Sequence, residues 1–113
     1  MNVSKLRDEI YRLYRLIPVE QPDTPEIKGA THGTFVRPSE ESWVDCRANW
    51  QDQLGRAKRW IDVVARHVAE GKPLTQNDVL VIMNCQHIIL DFEKALAQGF
   101  MEVGEVHRYK VRE

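Results

Sequence analysis

Apolar residues recur in steps of three and four along most of this chain. In the first segment Val3, Leu6, Ile10, Leu13 and Ile17 fall on one helical face. Tyr14 widens that face, and Arg7, Arg12 and Arg15 lie at or beyond its edges. The pattern predicts a helix from about residue 3 to 17. Pro18 ends it, because the residue before a proline is pushed out of the α region.

Residues 18–38 break the pattern. Four of the five prolines fall there, together with Gly29 and Gly33. No helix runs through such a stretch. Its "GTFVR" reads as a short strand.

The three-four pattern then returns. Ser39 is placed to cap a second helix, with Glu40 and Glu41 in the first turn, where the helix dipole favours carboxylates. Trp43, Trp50, Leu54, Ala57, Ile61, Val64 and Val68 carry the helix to about residue 70. Gly71 supplies the residue after the cap, and Pro73 blocks continuation. Thr75 caps a third helix over about 76–98, and Asp78, three residues on, completes a capping-box pair in place of the usual Glu. Gly99 closes it. In the tail, 100–113, the period changes from helical to alternating over Val106–Val111, which suits a short strand pairing with "TFV".

The fold class expected is all-α: a long antiparallel hairpin of helices 2 and 3, with a shorter N-terminal helix packed alongside. The arrangement resembles a three-helix bundle in one domain over 1–113, with an optional two-stranded β pairing from the loop and the tail.

Helix 3 carries the residues that most invite a chemical reading, Cys85 and His87. Each helical residue turns by about 100°, so these two side chains point about 160° apart and cannot share a metal ion. With Ile82 as the reference, the core stripe reads through Cys85, Ile89, Phe92 and Leu96, which makes Cys85 a buried core residue. His87 falls on the polar side with Asp91 and Lys94.

The apolar arc of helix 3 is wide, about 240° on the same projection, where one neighbour needs only about 100°. Gln86 and Glu93 lie inside it, seven residues apart, as a candidate polar seam against helix 1 or a second subunit. Helix 2 has a similar surplus. Trp60, Val63 and His67 form a second stripe that includes Arg56. With Trp43 and Trp50 they are the candidate partner-binding residues, since buried interface centres favour Trp and Arg.

Composition narrows the functions. The chain has 113 residues, 42% of them hydrophobic and 29% charged, and a net charge of −1. No global field draws it to nucleic acid or anionic lipid. No apolar run spans a bilayer, and the N-terminus has no signal-peptide h-region. Two cysteines make no disulfide framework, so a cytoplasmic setting is expected. The most basic cluster is Arg56, Lys58, Arg59 and Arg66, with Arg108, Lys110 and Arg112 in the tail. It supports an alternative reading as a nucleic-acid-associated protein. The sequence carries no phosphate loop, no GxSxG elbow and no CxxC pair. Glu40 and Glu41 lack the second acidic cluster that a Mg²⁺-dependent helical hydrolase requires. Cys46, His67, Cys85, His32 and His107 are scattered, which leaves a small metalloprotein or enzyme as a third reading.

No catalytic residue, metal or cofactor is therefore expected. The leading expectation is a non-enzymatic protein-binding or regulatory protein, an inhibitor or accessory factor. It would act through apolar helical surfaces on an unidentified protein partner, as a homodimer and away from membranes.

Overall fold

The computed structural model describes residues 2–22 and 40–100. Among them the chain forms helices α1 (Val3–Arg15), α2 (Glu40–Ala69) and α3 (Gln76–Ala97), and each packs against the other two. The expected cap at Ser39 and the strand pairing between "TFV" and the tail lie outside the described residues.

Local chemistry sets the helix ends. Asn2 Oδ1 accepts the Lys5 backbone N–H at 3.1 Å and so satisfies one orphan donor of α1. Arg12 and Arg15 sit in the last turn, where the dipole favours cations. This helix stops two residues before the expected end. Leu16 is its C-cap, and the N–H groups of Leu16 and Ile17 turn back to the Leu13 and Tyr14 carbonyls. Pro18 bars α geometry at Ile17, and the tightened turn takes up the adjustment.

Both other helices end on the same device. Gly71 donates to the Val68 carbonyl and Lys72 to that of His67, with Gly71 at φ +69°. At the end of α3, Gly99 donates to Leu96 and Phe100 to Ala95, with Gly99 at φ +64°. These are Schellman pairs, which use up the last free carbonyls and suit glycine at the left-handed position. Phe100 is itself left-handed, at φ +59°. Its ring is buried, which offsets a backbone cost on the order of 1 kcal/mol.

The core is built from Val3, Ile10 and Leu13 of α1, Trp43, Leu54, Ala57, Ile61 and Val64 of α2, Val81, Ile82, Cys85, Ile88, Phe92 and Ala95 of α3, and Phe100. The core stripe of α3 is thus rotated from the expected one. Ile82, Cys85 and Phe92 are buried as expected, but Ile89 is half-buried and Leu96 is exposed, while Val81, Ile88 and Ala95 are buried. Asn84, which the apolar pattern does not mark, is buried. An arc of about 240° has no unique centre in sequence; the positions of α1 and α2 choose it.

Tyr14, near the end of α1, lies 4.0 Å from where a Cβ on Gly55 would stand. The first half of α2 therefore extends beyond α1. There an aromatic cluster takes over. Trp43 meets Phe100 edge-on at 5.3 Å, and Trp50 meets Phe92 at 5.2 Å. Phe100, two residues past the α3 C-cap Gln98, folds back and closes this end.

Gly55 is a helix-interior glycine whose added Cβ makes only ordinary contact with Tyr14. Gly55→Ala is expected to stabilise the protein by about 0.5–1 kcal/mol, read as a higher midpoint in thermal unfolding. A lower midpoint would mean that the α1–α2 contact is tighter than described.

Candidate functional site

Among the described residues, a buried carboxylate facing an imidazole joins α2 to α3. His67 stands one turn before the Schellman turn, and Asp78 stands in the first turn of α3. The His67 Nδ1 lies 3.1 and 3.0 Å from the two Asp78 carboxylate oxygens. Asp78 also accepts the Thr75 backbone N–H at 3.0 Å, while its own N–H donates to the Thr75 hydroxyl at 3.1 Å. Burial pushes the Asp78 carboxyl up, but the Thr75 backbone N–H, His67 and the Thr75 side chain outweigh it and hold it below the ordinary range.

An aspartate facing Nδ1 orients an imidazole so that Nε2 can take a proton. The same carboxylate serves the α3 cap, so the pair fixes the angle at which α3 leaves the turn. Sequence reading placed His67 on a partner stripe and Asp78 in a cap, and did not join them. A usable signal was present. A Schellman glycine followed by a Thr75 cap sets a short turn, which brings the last turn of α2 against the first of α3.

A second polar contact ties α1 to α2. Asp62 accepts from Arg7 Nε at 2.7 Å and from the Tyr11 hydroxyl at 2.6 Å. Here too burial pushes the carboxyl up, and Tyr11 and Arg7 bring it below its ordinary value. Beside it is a shallow open groove of about 570 Å³, lined by Val3, Ser4, Arg7, Asp62 and Arg66 among others.

The helix cations of the nucleic-acid alternative are divided. Lys58 Nζ sits over the Tyr14 and Tyr11 rings at 4.2 and 4.7 Å. Arg56 pairs with Asp52 at 3.3 Å, one turn away on the same helix. Arg59 and Arg66 are exposed. Arg108, Lys110 and Arg112 lie outside the described residues.

The partner-binding candidates are also divided. Trp43 is buried against Phe100, and its indole N–H meets no acceptor. Trp50 and Trp60 are half-buried against the core. Val63 is exposed, Arg56 pairs with Asp52 and His67 with Asp78. Gln86 and Glu93 are both exposed. Glu93 also helps to raise the pKa of Arg12 on α1, after the larger influence of Glu9.

His87 is exposed and Cys85 is fully buried. Burial pushes the Cys85 thiol up to about 12. Cys85 is therefore expected to react slowly with a thiol reagent in the native state and fast after unfolding, since the thiolate is the nucleophile. Mass spectrometry of timed labelling checks this, and rapid native modification at Cys85 would contradict its burial. Cys46 and Cys85 are both free thiols. Among the described residues no group of three or more His, Cys, Asp and Glu could hold a metal ion. His32 and His107 lie outside them.

No protein-family model matches the chain, no curated protein matches it, and no solved structure matches it. No helix of the described residues is long and apolar enough to cross a membrane.

Proposed function

We propose that this chain is a non-enzymatic protein-binding protein, a regulatory inhibitor or accessory factor, that works through apolar helical surfaces. It uses the long antiparallel hairpin of α2 and α3 as its scaffold and associates as a homodimer in the cytoplasm. One observation carries the reading. The core closes within the chain, yet α3 still presents Val79 and Leu90 outward, the latter 63% exposed. With Val44, Val63 and Val68 also exposed on α2, the two long helices keep aliphatic surface that the core of the single chain does not use, and extended apolar surface is a common mark of an interface.

The disposition of charge supports the same reading. Asp62 and Asp78, whose pKa values are lowered, tie helices together. The nucleic-acid alternative has two of its four helix cations engaged within the chain. Sedimentation equilibrium at micromolar protein tests the proposal. The expected mass is about twice the 13.2 kDa of one chain. A single species at the monomer mass would remove self-association.

A further inference from the structure

His67 and Asp78 form an oriented pair as well as a joint between helices. The two carboxylate oxygens of Asp78 lie 3.1 and 3.0 Å from Nδ1 of His67. A carboxylate oxygen only accepts, so Nδ1 carries the proton of the contact and donates it. In the neutral ring the lone pair is then fixed on Nε2, at the opposite edge of the imidazole. The His67 side chain is 28% exposed and that of Asp78 only 5%. Water is kept from the carboxylate but reaches the ring.

The carboxylate is itself held in place. It accepts the Thr75 backbone N–H at 3.0 Å, while the Asp78 N–H donates to the Thr75 hydroxyl at 3.1 Å. Asp78 cannot turn from His67 without breaking the cap of α3. The backbone of His67 is anchored too, since the Lys72 N–H donates to its carbonyl at 2.9 Å. One ring nitrogen is thus tied to a fixed, buried anion, and the other keeps a lone pair.

We propose that His67 is a phosphoryl-acceptor site, its Nε2 taking a phosphoryl group from a donor that carries it on nitrogen. The inference goes beyond the protein-binding reading and does not depend on it.

The chemistry balances without a further reactant. The Nε2 lone pair attacks phosphorus, the P–N bond of the donor breaks, and its protonated nitrogen leaves as an amine. One P–N bond replaces another. As the lone pair joins phosphorus, the ring becomes a cation that still carries the Nδ1 proton. The Asp78 carboxylate faces that proton and stabilises the new positive charge, the more so because it is shielded from water. Asp78 acts through His67 and is a positioning residue.

The surroundings favour modification over hydrolysis. A general base needs a substrate held against it in a pocket. The groove of about 570 Å³ beside Asp62 does not include His67 in its lining. A phosphoryl group needs access to one nitrogen only. Arg66, next to His67, is exposed, and Lys72 pairs with Glu70 at 2.7 Å and so offsets that carboxylate. The modified ring keeps its Nδ1 proton on Asp78, so α2 and α3 stay joined.

The test is incubation of the full chain with potassium phosphoramidate at neutral pH. Phosphorus NMR separates Nε2 from Nδ1 phosphohistidine, and tandem mass spectrometry without acid locates the label among the four histidines. The expected product is Nε2-phosphohistidine at His67, formed faster than at the exposed His87, absent from His67→Gln and with unchanged circular dichroism. Labelling of His87 as fast as His67, or an Nδ1 product at His67, would overturn the proposal. Asp78→Asn keeps an oxygen for the Thr75 N–H and so preserves the cap. It should label His67 more slowly and give both isomers. A folded Asp78→Asn that matches the wild type in rate and isomer would overturn the part given to the carboxylate, and with it the proposal. The comparison of His67 with His87 in the wild type needs no variant and decides the matter even where Asp78→Asn fails to fold.

Discussion

Phe92→Ala should destabilise the protein by about 3–5 kcal/mol, a loss comparable with much of the net stability of a small domain. Phe92 is fully buried and stands where α3 meets the aromatic end of the bundle. It meets Trp50 edge-on at 5.2 Å and Phe100 at 5.7 Å. Such pairs contribute about 0.5–1.5 kcal/mol beyond the area they bury. Truncation leaves a cavity beneath Trp50 that the helix backbones cannot collapse to fill. It also removes the ring that Phe100 folds back upon, so the closure of this end is lost with it. Urea titration followed by tryptophan fluorescence should show a lower midpoint at an unchanged slope. His87→Ala, five residues earlier on the exposed side, should change stability by less than about 0.5 kcal/mol. Phe92 and His87 keep the same faces in the expected stripe and after the rotation of α3 described above, so similar shifts for both would mean that the inward and outward faces of the helix are misassigned.

That rotation is where sequence and structure part. Helix existence was legible throughout, because each helix is bounded by chemistry with one meaning: Pro18, Gly71 with Pro73, Thr75 with Asp78, and Gly99. The direction in which α3 faces was not. Val79, Ile89 and Leu90 are as apolar as Val81, Ile88 and Phe92, so periodicity alone cannot rank them. Only the places of α1 and α2 decide which face is covered. Cys85 lies near the middle of both the expected and the observed stripe, and for that reason its burial could be read from the sequence. Phe100 was missed because it follows the helix, where periodic reasoning stops. The hydrophobic contact that accompanies a Schellman end would have pointed it back toward Ala95. The His67–Asp78 contact was illegible for a related reason. Each residue had a sufficient local explanation, and only the geometry of the turn between them makes the two one group.

Asp78→Ala is expected to cost about 2–4 kcal/mol at neutral pH, because it removes the buried carboxylate that faces His67 and half of a capping box at once. The Thr75 N–H loses its acceptor, and the His67 Nδ1 is left facing a methyl group. The loss is largest near neutrality and shrinks in acid. The folded-state pKa of Asp78 lies below its ordinary value, so the carboxylate binds its proton less readily in the folded chain than in the unfolded one. Its contribution is therefore fully present above the unfolded value of about 3.9 and is lost as pH falls through the folded value. Asp62 moves in the same direction, but it is more exposed and solvent screens its contact with Arg7. The wild type should therefore lose stability steeply below about pH 4. Asp78→Ala should start lower and fall less, the two curves converging in acid. Thermal unfolding followed by circular dichroism from neutral pH to pH 3 reads this directly. A second comparison isolates the pair. If Asp78 acts through His67, then His67→Ala should cost little more when Asp78 is already gone, a coupling that a double-mutant cycle measures. Parallel pH curves for wild type and Asp78→Ala, or strictly additive losses with His67→Ala, would show that the cap alone explains Asp78 and that the imidazole contributes nothing to joining α2 and α3.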